Sequence, residues 1–123
     1  MGDQKKLAKS TTVLDEAETL RRHISDTVNE IHKLIELAPD EQTEESLRRL
    51  RRAYFELWET VIKKEIDRTT PQYEKAVESL KEAQQAAAEA KKDIQKVAGA
   101  IKKAVSAAKA VDKIVNLGLK YLG

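Results

Sequence analysis

The side chains best able to do chemistry in this chain are two histidines, a run of four arginines, a set of C-terminal lysines and a few aromatics. His23 and His32 come first, because imidazole serves as metal ligand and as general base near neutral pH. His32 and Glu36 are four apart, which places them on one side of a helix and within reach of a shared metal. Metal sites in helical bundles, however, take inward Glu-x-x-His pairs from more than one helix. Leu20 precedes His23 by three and Asn29 precedes His32 by three, so neither pair exists. Both histidines read as surface residues beside an apolar stripe. The absence of cysteine removes thiolate zinc sites, cysteine nucleophiles and a disulfide framework. No glycine-rich phosphate loop, nucleophile elbow, H-E-x-x-H pair or calcium loop occurs. The expectation is a protein that is not an enzyme and that holds no metal and no cofactor.

Arg48, Arg49, Arg51 and Arg52 could neutralise phosphates. Yet Glu44 precedes Arg48 by four, Glu45 precedes Arg49 by four, and Glu56 follows Arg52 by four. Such pairs are ordinary helix-surface chemistry. With a formal net charge of +2, the chain is also far less basic than a nucleic-acid binder of this size usually is. Nucleic acid is therefore not the expected partner. The lysines are distributed differently. From Gly99 onwards, Lys102, Lys103, Lys109, Lys113 and Lys120 face a single acid, Asp112. A cationic helix with Ile101, Val105, Ile114, Leu117, Leu119 and Leu122 on its other side has the make-up of a membrane-surface helix. The same composition also suits the outer face of a bundle helix kept wet by lysine. Tyr54, Phe55, Trp58 and Tyr73 read as bulky core, with Trp58, Tyr54 and Leu57 as its anchor. Loss of a fully buried Trp58 to alanine would cost roughly 3–5 kcal/mol.

The elements that position these residues follow from punctuation and period. A length of 123 residues implies a single domain. Four glycines and two prolines are too few for the turns of an all-β domain. Pro39 and Pro71 each mark where one helix ends and the next begins. Leu14, Ala17, Leu20, Ile24, Val28, Ile31, Ile35 and Ala38 make one helical stripe, predicting a first helix over about 10–38, with Leu7 extending the stripe backwards. Leu47, Leu50, Ala53, Tyr54, Phe55, Leu57, Trp58, Val61, Ile62 and Ile66 predict a second helix over about 40–68. Its apolar face is wide enough to touch two neighbours. Its first turns carry Asp40, Glu41, Glu44 and Glu45, which suit the positive end of a helix dipole.

Thr70 and Pro71 cap and open a third segment, over about 71–120. A heptad seam runs through it without a slip, from Tyr73, Ala76, Leu80, Ala83, Ala87 and Ala90 to Ile94, Val97, Ile101, Ala104, Ala108, Val111 and Val115. The unbroken phase predicts one helix of about 50 residues, roughly 70 Å long at 1.5 Å per residue. The alternative breaks it near Gly99 and gives four helices of similar length. The fold class expected is all-α, an antiparallel bundle of three long helices or of four. In the three-helix version the last half of the third helix outruns its neighbours, so its seam requires cover. The leading functional expectation is a helical interaction protein using that seam, as a homo-oligomer or on a partner protein, with Gly99 as hinge. The alternative is a membrane-surface protein using the lysine-rich C-terminal segment. No secretory leader and no uncharged stretch of about 18 residues is present, so a cytoplasmic location is the default expectation.

Overall fold

The computed structural model describes residues 2–64, 66–67 and 69–118, with side chains described from Leu20 onwards. The chain is all-helical, and no strand occurs among the described residues. Four helices pack against one another: α1 (Gly2–Leu37), α2 (Glu41–Lys63), α3 (Pro71–Lys92) and α4 (Val97–Val115).

The local chemistry at each junction explains where the helices stop. Asp40 sits in extended conformation before α2, and its carboxylate accepts a hydrogen bond from the Thr43 amide at 2.7 Å. That bond holds the Asp40 carboxyl below the usual carboxylate range. Between α2 and α3, the Asp67 carboxylate accepts from both the amide and the hydroxyl of Thr69. Thr70 then caps α3, accepting at its hydroxyl from the Tyr73 amide, with Pro71 in the first turn, where its missing N–H costs nothing. The second helix thus ends at Lys63 rather than near residue 68, and the first starts at Gly2 rather than near residue 10.

The predicted 50-residue third helix is two helices, and the break is at Asp93 instead of Gly99. Asp93 adopts φ −142° and ψ 97°, which leaves the helical region. It serves both sides of the corner. Its amide still donates to the Glu89 carbonyl at 3.0 Å, its carboxylate accepts from the Gln95 amide at 3.2 Å, and its carbonyl accepts from the Lys96 amide at 2.9 Å. Ile94–Lys96 form one 3-10 turn and α4 follows directly. Aspartate favours this role because its short carboxylate competes for backbone amides. Gly99 lies inside the first turns of α4, and a Cβ added there would meet nothing within 4 Å. Past the corner the buried face of α4 takes in Ala100 and Ala107 beside the seam positions, while Ile94 and Ile101 are only partly buried.

The packing is two hairpins side by side. α1 packs on α2 and on α3, and α4 packs on α3 and on α2. The short connections make α1 and α2 antiparallel, and α3 and α4 likewise. Across the hairpins the direction is the opposite. Tyr54 meets Ala104 and Lys64 meets Val115, so α2 and α4 run parallel. His23 meets Gln84 and Glu30 meets Lys91, so α1 and α3 also run parallel. The bundle is therefore antiparallel within each hairpin and parallel between them.

One continuous core fills the centre. α1 contributes Leu20, Ile24, Ile31 and Leu34, α2 contributes Leu47, Leu50, Tyr54 and Leu57, and α3 and α4 contribute mostly alanine and valine. The length mismatch expected of the third helix falls on α1 instead. At 36 residues against 23 for α2, it exceeds its hairpin partner by about 20 Å at 1.5 Å per residue.

Candidate functional surfaces

The seam expected to bind a partner lies inside the bundle. Val97, Ala104, Ala108, Val111 and Val115 are buried, and Ile94 and Ile101 are partly buried against the same core. Folding α4 back on α3 gave this stripe an intramolecular partner. A partner chain could reach it only if the hairpin opened.

The expected core anchor divides in two. Tyr54 and Leu57 are fully buried. The Tyr54 hydroxyl donates to the Ala104 carbonyl at 2.6 Å, tying α2 to α4 across the core. The alanine there leaves room for the phenol to reach the backbone. Burial pushes the Tyr54 phenol well above its ordinary pKa range. Trp58 is a correction: it is 38% exposed, alongside Phe55 at 50% and Ile62 at 45%. The reason is angular. The buried set Leu47, Leu50, Tyr54, Leu57 and Val61 already fills the inward arc of α2. At 100° per residue, Phe55, Trp58 and Ile62 fall together on one flank of it. The breadth of the apolar face was legible in the sequence. It provides more surface than two neighbouring helices cover.

The histidines are both engaged. Arg51 donates to His32 Nδ1 at 2.9 Å, and Glu36 lies 3.8 Å from its Nε2. The Gln84 amide donates to His23 Nδ1 at 2.8 Å and to the His23 carbonyl at 3.2 Å, linking α1 to α3. Burial, then the nearby Lys81 ammonium, holds the His23 pKa below its ordinary value. Among the described residues no group of three or more histidines and carboxylates gathers in a way that could hold a metal ion. The arginine run is also spent locally in part, since Arg48 pairs with Glu44 at 3.3 Å.

Two surface grooves differ in charge. One, of about 630 Å³ between α1 and α3, carries Asp26 and Glu30 beside Lys33 and Lys81. Its charges partly answer each other: Glu30 lies 2.6 Å from Lys91 and 3.9 Å from Lys33. The other, of about 660 Å³ between α3 and α4, holds Lys75, Lys109 and Lys113 and no carboxylate. It runs on into a smaller space holding Lys102 and Lys103 with Glu82. The expected anionic-contact lysines thus gather along one face, with Lys75 as an addition the sequence did not single out. Lys120 lies outside the described residues. The apolar side of the membrane-helix reading fares differently. Ile101, Val105 and Ile114 are packed against the core, and Leu117 is exposed. Leu119 and Leu122 lie outside the described residues. No helix among those described is long and apolar enough to cross a membrane.

Comparison with protein-family models, with curated proteins and with solved structures finds no match to this chain.

Proposed function

We propose that this protein is a non-enzymatic helical interaction module that associates with a second copy of itself through the flank of α2. The observation that carries the reading is the exposed row Phe55, Trp58 and Ile62. Large apolar side chains gathered on one surface are the usual mark of a contact site, and tryptophan is among the strongest contributors to binding energy. The choice of a second copy rests on α1. The backbone of α1 outruns the 23 residues of α2 by roughly three and a half turns, a length of helix for which α2 supplies no partner. A two-fold arrangement would let that length of one copy's α1 lie along the α2 flank of the other. The seam of α3 and α4 is not the surface assigned here, because its residues already serve the core.

Trp58 is the single tryptophan of the chain and reports on this contact directly. Light scattering over a range of concentrations should give a dimer, with Trp58 emission moving to the blue as the dimer forms. The double substitution Phe55→Ser and Ile62→Gln should give a folded monomer. A monomer at every concentration, with unchanging emission, would overturn self-association.

A further inference from the structure

We propose that the groove between α3 and α4 is a binding site for a small anion bearing two or more phosphate groups. The site is independent of the α2 flank. Lys75 reaches it from α3, and Lys109 and Lys113 reach it from α4. Ser79, Ser106 and Gln72 add hydroxyl and amide donors, and no carboxylate lines the space. None of the three lysines makes an ion pair among the described residues. In a chain whose acids and bases nearly balance, a groove with three ammonium groups and no acid stands apart from the mixed groove between α1 and α3.

The geometry selects among anions. From Pro71 to Ser79 the α3 wall spans about 12 Å at 1.5 Å per residue, which suits a chain or ring of phosphates better than a single ion. The N-terminus of α3 opens onto the same groove, and its dipole adds to the positive field. Lysines supply compact, mobile charges that follow phosphate oxygens without fixing one planar geometry. No aromatic side chain lines the groove, so nothing there would stack a nucleobase. The recognised chemistry is therefore the phosphate cluster itself, whether free or on a lipid headgroup. Lys102 and Lys103 extend the positive surface at one end, where Glu82 sets its limit.

The test is calorimetric titration of the full chain with inorganic tripolyphosphate at low salt. Three variants accompany it: Lys75→Gln/Lys109→Gln/Lys113→Gln, the charge-matched control Lys33→Gln/Lys63→Gln/Lys81→Gln, and Ser106→Glu, which places an acid in the groove. The groove triple variant and S106E should each weaken binding at least tenfold, with the control within twofold of the parent. Circular dichroism should show all three folded. No binding by the parent, or equal loss in the control, would overturn the site. Co-sedimentation identifies the source. Retention on phosphatidylcholine vesicles containing phosphatidylinositol bisphosphate, but not on phosphatidylserine vesicles of equal charge, would assign the lipid headgroup. Tripolyphosphate binding without vesicle retention would assign a free phosphate cluster. Equal retention on both vesicles, unchanged in the groove variants, would count against the site.

Discussion

The two hairpins bury their surfaces in opposite ways. The α1–α2 hairpin is built mainly from large side chains, and most of its core positions are leucine and isoleucine, with Tyr54 among them. It has more apolar residues than inward positions, and the surplus emerges as Phe55, Trp58 and Ile62. The α3–α4 hairpin is built from small ones. Ala76, Ala83, Ala87 and Ala90 of α3 and Ala100, Ala104, Ala107 and Ala108 of α4 are all buried. α3 and α4 form the most extensive helix pair of the bundle. Their outer faces carry lysine, glutamate, glutamine and serine. Bulky helices keep their distance and leave apolar flanks, whereas alanine faces let backbones approach and confine the apolar surface to the seam. The first hairpin thus presents a greasy edge and the second a charged groove.

The sharpest way to break this contrast is to exchange the two packing styles. Leu57→Ala should open a cavity in the bulky hairpin and cost about 2–5 kcal/mol in denaturant unfolding. The opposite change, Ala107→Leu, should overfill the close pair and cost about 1–3 kcal/mol. Near-neutral Ala107→Leu would show that α3 and α4 are not closely packed. The tie between the hairpins comes next. Tyr54→Phe removes only the hydroxyl that reaches the Ala104 carbonyl and should cost about 1 kcal/mol, seen as a lower denaturation midpoint.

The corner of the small hairpin offers a paired test. Asp93→Ala removes a cap and should destabilise by about 1 kcal/mol. Gly99→Ala should stabilise by up to about 1 kcal/mol, because the site is helical and has space for a methyl group. If Gly99 were the hinge, the signs would reverse.

The smallest expected effect is on pH. The His23 pKa in the folded chain lies below the ordinary 6.5, owing first to burial and then to Lys81. The unfolded chain therefore takes up this proton first as pH falls. The stability that neutral His23 contributes is complete above that ordinary value and declines as pH drops through the folded pKa. Thermal midpoints measured downward from neutral pH should fall in that window, and His23→Gln should flatten the decline.

Much of the chain was legible without coordinates because capping and period are local. Thr70 marks a helix start by a hydrogen bond that reaches only three residues, Pro71 by its fixed φ, and Asp40 with its neighbouring acids by charge at the helix N-terminus. The stripe from Leu20 to Ile35 and the seam from Tyr73 to Val115 identify buried faces by period alone. Asp93 shows how the reading failed. Its signal, an aspartate able to cap the amide of Gln95, was present, but the continuous heptad on both sides concealed it. Glycine at position 99 drew attention to flexibility, whereas the turn came from a competing hydrogen bond. Trp58 failed for another reason: its period placed it on the edge of the apolar arc, where size alone does not decide burial.

The sequence by itself determined that the chain is helical, which faces are apolar, and that its C-terminal part is lysine-rich. These properties depend on residues within a few turns of one another. Only the tertiary structure decided what covers each face. It turned the seam inward, left the α2 flank outside, and brought Lys75 of α3 beside Lys109 and Lys113 of α4. The physical reason is that a periodic apolar stripe specifies that it must be buried, while the reversal at Asp93 and the volumes of the facing side chains choose the partner.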